Sequence, residues 1–366
     1  MTKKICMIGT QFLGVPANNG GAIEYLSFNI AKGLSDKGFE ITYFSVDQSI
    51  KSKQNFVIER FPSKKTNGFF FSLFVLFKTL FKKSDLIYVS GCSMIFAGLI
   101  LSKLKRIPLV YHEFNHNPWV KPRNKFYDFL AAFSVKNSDY VIASSKFIKE
   151  SILIKTGVNP AKLFLVSNFI NLKEFPLNPA KKERKILFVG RLVKHKGIDL
   201  LIKLAEQKEF REWVFEFGCP EPFSSEEKKY FKKISLLAES NKRILFKPNL
   251  SRKDLIREFS SASVLLLPSS QESFGMVLVE AMACFTPCIA FSAGGTTEII
   301  DNNLNGFLVN QKDKKMFEKR LNELIKDENK RIFFGLNARK KVEENFSFIN
   351  SIKEFELFFN KIMVKK

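Results

Sequence analysis

The sequence predicts an α/β chain of two doubly wound domains, each built on a parallel sheet, and three observations point there. Short apolar runs alternate with helix-period segments from end to end, the pattern of βαβ units. The alternation stops at a polar, proline-containing stretch near residues 172–183 and then begins again. The length, 366 residues, exceeds what one ordinary core supports and suits two.

KICMIG reads as the first buried strand and QFLGVPANNGG as a glycine-rich loop. AIEYLSFNIAKGLSDKG places Ile23, Leu26, Ile30 and Leu34 on one helical face and stops at Gly38. ITYFSV, DLIYVS, IPLVYH, YVIAS and LFLVS follow as strands with helices between them. After SNFINLKEFPLNPAKKERK, KILFVG restarts the series. GIDLLIKLAEQ is its first helix, WVFEFG, RILF and VLLLPS are further strands, and the chain is helical from Lys312 onward. The expected division is a first domain over 1–172, a linker over 173–183, a second domain over 184–345, and a C-terminal helix over 346–366 packing back on the first.

A composition of 45% hydrophobic and 26% charged residues supplies both a core and a solvated surface. The 41 phenylalanines are what an AT-rich coding sequence produces. The net charge is +23, with 23 Lys and Arg against 10 Asp and Glu in 1–172 and 36 against 26 beyond it. Both halves are basic, so charge alone selects no partner, and no nucleic-acid-binding signature accompanies it. Five cysteines, an odd number with no CxxC pair, read as reduced, buried thiols. The N-terminus runs straight into a strand without a signal-peptide pattern, and FFFSLFVLF is too short to span a bilayer. The expectation is a soluble, cytoplasmic chain.

A doubly wound sheet binds its ligand outside the carboxyl ends of its strands. Two such domains facing each other would set those ends on one cleft, so the residues just after each strand are the candidates. The first cluster is the glycine-rich loop from Gly14 to Gly21 before the helix at Ala22, where backbone can approach a phosphate; it matches neither GxGxxG nor a P-loop. The second is VGRLVKHKGIDLL, residues 189–201. Arg191 and Lys196, in a loop read as exposed, are two cations beside a helix start, suited to a diphosphate; His195 between two lysines reads as a solvated loop residue.

The third cluster is PSSQESFGMVLVEAMACFTPCIAFSAGGTTEII, residues 268–300. A strand runs into a loop holding Glu272, then a helix from about Gly275 carries Glu280 among Val277, Leu278, Ala281 and Met282. A carboxylate there needs partners, and the vicinal hydroxyls of a sugar are suitable donors. Gly294-Gly295 marks a further close approach of backbone after PCIAF. The fourth is His112, at the end of IPLVYH, where an imidazole could orient a sugar hydroxyl or a phosphate. Read singly, each of the four is also what a flexible loop, a solvated basic loop, an amphipathic helix or a hydrogen-bonded structural histidine looks like.

Taken together, GGAIEYLSFNIAKGLSDKGFEITYFS, NFINLKEF, VGRLVKHKGIDLLI and ESFGMVLVEAMA followed by AGGTTEII resemble the retaining GT-B glycosyltransferases, specifically family 4, across nearly the whole chain. Glu272 and Glu280 are separated by seven intervening residues, as in the E-x7-E motif of that family. The resemblance implies two Rossmann-like domains facing an interdomain cleft and a nucleotide diphosphate-sugar (UDP or GDP) as donor substrate, with no cofactor. It also implies a glycan or lipid-linked acceptor. Residue by residue, Arg191 and Lys196 would hold the diphosphate and Glu280 the ribose hydroxyls. Glu272 and the backbone of Phe274 and Gly275 would contact the donor sugar. Gly21 would lie near the phosphates, Glu24 nearer the acceptor, and His112 would be the histidine facing the ligand. FGCPEP keeps only Gly218 of the family's G-x-G-P, which leaves the base pocket open. Retention by front-face attack is implied, and no Asp-x-Asp motif calls for a metal.

Two rivals stand beside this reading: a nucleotide-sugar epimerase of the same fold, which E-x7-E disfavours, and a non-catalytic basic protein that binds membranes. The segment SKKTNGFFFSLFVLFKTLFKKSD, residues 63–85, reads as a helix apolar almost all round between lysine pairs. Packing on the first domain's sheet accounts for it; partial exposure would instead give an anionic membrane surface as a further partner. HNPWVKPRNKF, residues 116–126, repeats the mixture of aromatic and basic groups.

Overall fold

The computed structural model describes residues 2–16, 21–47, 54–63, 68–115, 125–222, 224–239 and 241–363. The chain forms two compact units, one of Met1–Asn168 with Ile349–Lys366 and one of Phe169–Phe348.

In the first unit the chain order is β1 (Lys4–Ile8), α1 (Ala22–Asp36), β2 (Glu40–Val46), β3 (Val57–Phe61), α2 (Gly68–Leu80), β4 (Leu86–Ser90), α3 (Ile95–Lys105), β5 (Leu109–Glu113), α4 (Lys125–Lys136), β6 (Tyr140–Ala143), α5 (Lys146–Thr156) and β7 (Leu163–Leu165). The seven strands are parallel in the order β3-β2-β1-β4-β5-β6-β7. Central β4 is buried along its whole length, as a strand covered on both faces must be. On α1, Leu26, Ile30 and Leu34 are buried as their spacing predicts, and so is Glu24.

The second unit runs β8 (Lys185–Val189), α6 (Ile198–Glu206), β9 (Val214–Cys219), α7 (Ser225–Glu239), β10 (Ile244–Pro248), α8 (Arg252–Ser261), β11 (Val264–Leu267), α9 (Met276–Ala283), β12 (Cys288–Phe291), α10 (Thr296–Ile299), β13 (Gly306–Val309), α11 (Lys314–Lys326) and α12 (Glu328–Asn345). Its six parallel strands lie in the order β10-β9-β8-β11-β12-β13. In both sheets the winding reverses beside the first strand, between β1 and β4 and between β8 and β11, which is where a doubly wound sheet opens for a ligand.

The boundary falls earlier than the sequence placed it. Residues 169–183 belong to the second unit: Ile170 pairs with Ser347 and its amide donates to the Phe346 carbonyl at 2.9 Å, Phe175 is buried in that unit's core, and Lys182 Nζ donates to the carbonyls of Ser260 and Cys284, each at 2.9 Å. The last helix, α13 (Phe348–Ile362), starts two residues after the expected start at 346, and from Ile349 it counts with the first unit. There Ile352 packs on Gly33, where a β-carbon would sit 2.6 Å from it, and Phe359 stacks edge-on to Phe39 at 6.3 Å. The five cysteines are all free and buried.

Candidate functional site

At the β8/β11 reversal the second and third clusters of the sequence become one site. The loop after β8 carries Arg191 and a short 3-10 turn, Lys194–Lys196; the loop after β11 runs from Pro268 to Gly275. The Ser270 amide donates to the His195 carbonyl at 2.8 Å. Gly197 has φ 75°, and a β-carbon there would lie 2.3 Å from the Pro268 carbonyl oxygen, so only glycine lets the two loops touch. Lys196 Nζ reaches Glu272 Oε2 at 2.5 Å. A third segment closes in from β12. The Gly295 amide donates to the Glu272 carbonyl at 3.1 Å, and a β-carbon on Gly295 would stand 2.5 Å from Phe274 Cα.

Helix α9 begins at this junction. Gly275 is its N-cap, with no side-chain cap, and the first-turn amides of Met276 and Val277 have no acceptor within the helix. A helix start of this kind favours an anion. Phe274 itself is buried against Phe346, with ring centroids 5.6 Å apart, so only its backbone can face a ligand. Ser269 Oγ is buried at the head of the loop with no hydrogen-bond partner among the described residues.

Glu280 is buried on α9 and is held by a residue that sequence reasoning missed. Arg252, the first residue of α8, donates from Nη1 to Glu280 Oε1 and from Nε to Glu174 Oε2 at 3.0 Å, while its guanidinium lies 5.2 Å over the Phe175 ring. Burial pushes the Glu280 carboxyl above its ordinary value, and Arg252 pulls the other way. Arg252 lies 28 residues upstream of Glu280, so only the Ser251 cap that starts α8 is visible in sequence; the pairing is tertiary.

The expectation of two open cations needs correction. Arg191 Nη2 is bonded to Glu227 Oε1 of α7, and Lys196 to Glu272. Lys196 is not in an exposed position either, its side chain being 18% exposed against 61% for Arg191. Concentrated positive charge at a closed junction draws the nearest carboxylates. An incoming phosphate would therefore exchange with carboxylate partners rather than meet bare cations.

In the first unit the structure brings together Gly21 and Glu24. Gly21 caps α1 at φ 86°, and a β-carbon there would lie 2.7 Å from Glu24 Oε2. Thr10, just past β1, donates to Glu24 Oε1, and burial pushes this carboxyl up as well. Residues 17–20 of the glycine-rich loop lie outside the described residues.

His112 departs from the histidine expected to face a ligand. It is the fourth residue of β5, and its ring is enclosed, 3.9 Å from the Phe114 ring and 5.7 Å from that of Phe355 on α13. Nδ1 lies 2.5 Å from the Tyr88 hydroxyl, while buried Nε2 has no partner among the described residues. Burial pulls its pKa down to about 3, so the imidazole is neutral. Alternation along the strand turns Glu113 to the other face, where Tyr111 donates to Oε2 and the amides of Phe114 and Asn115 donate to Oε1, each at 3.0 Å.

Residues 170–341 match the family model described as glycosyl transferases group 1, and residues 20–174 match that described as glycosyltransferase family 4. An uncharacterized glycosyltransferase of Methanocaldococcus jannaschii is 25% identical over 96% of both chains. The capsular polysaccharide biosynthesis glycosyltransferase CapM of Staphylococcus aureus is 29% identical over 60% of this chain and 61% of its own. Among solved structures, Anabaena HepE in complex with UDP and glucose superposes with a TM-score of 0.81 at 21% identity, over 98% of this chain and all of that one.

Proposed function

We propose that this chain, a group 1 glycosyltransferase of GT-B fold, is a retaining enzyme of the family 4 kind. It moves a hexose-type sugar from UDP or GDP onto a lipid-linked or cell-envelope polysaccharide acceptor, and it works in the cytoplasm at the inner face of the membrane. The observation that carries the reading is the convergence at the β8/β11 reversal, where Lys196 and Glu272 meet 2.5 Å apart beside the start of α9. CapM, by its name a capsular polysaccharide enzyme, and HepE, holding UDP and glucose, support the acceptor and donor classes.

The chemistry follows from these groups. Cleaving the bond between the anomeric carbon and the phosphate puts negative charge on the leaving diphosphate. Fixed cations and amide donors at that oxygen lower the barrier more than a general acid would. Lys196 and Arg191 supply the cations, and the first turn of α9 supplies amides. Glu280, kept in place by Arg252, accepts from the ribose hydroxyls. Glu272 anchors Lys196 and faces the sugar. In the front-face reaction the acceptor oxygen bonds to the anomeric carbon as the phosphate oxygen departs, and the acceptor proton passes to that phosphate oxygen. Neither Glu272 nor Glu280 acts as a hydrolase's nucleophile. Gly21 near the phosphates, Glu24 toward the acceptor and His112 toward the sugar keep the roles the resemblance implies. For His112 this requires the ring to be uncovered when the donor binds.

The test is a panel of UDP-, GDP- and ADP-sugars, read by thermal stabilisation and by slow release of nucleoside diphosphate without acceptor. Stabilisation by one base with release of its diphosphate is expected. A chain that neither binds nor hydrolyses any member of the panel is not this enzyme.

A further inference from the structure

We propose that the outward face of α2, α3 and α4 in the first unit is a docking surface for an anionic lipid bilayer. The proposal deepens the reading of a lipid-linked acceptor given above and rests on it for its purpose, but its evidence is separate. Helix α2 buries only Phe71, Val75 and Thr79. Its other side leaves Phe70, Leu73 and Phe77 exposed, and Phe81, just beyond the helix, is 78% exposed. The neighbouring helices continue the pattern, with Phe96 on α3 and Phe129 and Phe133 on α4 exposed. Phe77 touches Phe81 at 5.5 Å and Phe129 touches Phe133 at 6.3 Å, so these side chains cluster while still facing solvent.

At ~200 Å² per phenylalanine, the exposed rings present on the order of 800 Å² of apolar surface. A soluble monomer rarely exposes a contiguous apolar patch of more than a few hundred Å². The lysine pair at 64–65 and the segment 116–124 lie outside the described residues, and nothing here depends on them.

Charge selects the occupant. Lys78, Lys83, Lys103, Arg106, Lys125 and Lys136 are exposed on or beside the three helices. Over 68–83, 95–106 and 125–136 the sole acidic residue is Asp128. Two further lysines are committed internally, Lys82 to Glu59 and Lys105 to the carbonyls of Thr79 and Lys82. A second copy of the chain docking symmetrically would bring the same cations together across the interface, which disfavours it. Aromatics that dip to headgroup depth inside a ring of lysines fit an anionic bilayer instead. No helix among the described residues is long and apolar enough to cross a membrane, so the helices would lie on it.

The experiment is co-sedimentation with vesicles of phosphatidylcholine mixed with phosphatidylglycerol, against phosphatidylcholine alone, at low salt. The wild-type chain is expected to pellet with the anionic vesicles. F77S/F81S/F129S should weaken that binding at least about tenfold, since each ring withdraws appreciable apolar area. K78E/K83E/K103E keeps every aromatic and should lose the preference for anionic lipid; circular dichroism checks that both variants fold. Absence of pelleting, equal binding to neutral vesicles, or unchanged binding by both variants overturns the docking surface. So does a wild-type dimer in the ultracentrifuge that F77S/F81S/F129S abolishes, because the face would then be a protein interface. Donor hydrolysis in vesicle-free solution separates the two readings. Hydrolysis without vesicle binding removes only the docking surface, and vesicle binding without turnover of any donor removes only the transferase reading.

Discussion

Replacing Arg252 with Met should cost stability at neutral pH and return most of it on acidification. The methionine keeps much of the side-chain length over Phe175 but leaves Glu280 without its guanidinium. Breaking a fully buried ion pair costs about 3–5 kcal/mol, and an exposed one is worth at most about 1. Here the carboxylate side chain is 11% exposed and the arginine 32%, which places the loss between, at about 1–3 kcal/mol. For a unit of this size each kcal/mol moves Tm by about 2–4 °C, so a drop of roughly 3–10 °C is expected near pH 7.5.

The pH dependence has a definite sign. Burial holds the folded-state pKa of Glu280 above its ordinary value near 4.5, so the folded state binds more protons than the unfolded chain in the interval above that value. Stability from this group is therefore fully present below the unfolded pKa and falls as pH rises through the folded one. Removing Arg252 widens that interval. The Tm difference between variant and wild type should shrink at about pH 4.5, and the donor KM should rise at neutral pH with little change in kcat. A difference of equal size at both pH values would show that the Glu280 charge is not what Arg252 holds.

Lys196→Ala should lower transfer by roughly two orders of magnitude, the worth of one charge-assisted phosphate contact of ~2–3 kcal/mol, and Arg191→Ala should do likewise; near wild-type turnover in both would refute the diphosphate assignment. Glu280→Ala is expected to raise donor KM, whereas Glu272→Ala, which also frees Lys196, should act chiefly on kcat; equal, small effects on both constants would end that division of labour. Combining Lys196→Ala with Glu272→Ala should cost clearly less than the two losses added together, since the pair acts as one group, and strict additivity in the cycle would count against it. Turnover should survive excess chelator, and loss restored by magnesium or manganese would mean the diphosphate is neutralised by a metal.

The legible part of the site was its backbone. Glycines at 197, 275 and 295 fall where loops must touch or turn, and the spacing of Glu272 and Glu280 puts one in the loop and the other on α9. What sequence does not carry is which charges meet. Glu227 and Arg252 come from helices far from their partners along the chain, and each looks like ordinary surface charge on a polar helix. The same holds for the fold. β4 and β8 read clearly because they are buried throughout, and β1 because it is buried beyond Lys4, whereas edge strand β3, VIERF, carries two charges and fully buries none of its residues, and was missed. Thr79, a polar residue in a helix that is otherwise almost wholly apolar, is buried against Cys6 Sγ at 3.9 Å. The expected linker failed because Phe175 is buried in the second unit's core and Lys182 Nζ donates to the carbonyls of Ser260 and Cys284, contacts far along the chain that no local pattern announces.

The return of α13 to the first unit has a consequence for the order in which the protein is made. Phe355 and Phe359 cover His112, Tyr88 and Phe39, yet they are synthesised only after the whole of the second unit. During translation the seven-stranded sheet therefore emerges with this apolar flank bare, and it stays bare while all of 169–348 is made. Domains generally fold as they emerge, N-terminal first; here the first to appear is the last to be finished. Until α13 arrives, that flank is open to chaperones, proteases and neighbouring chains.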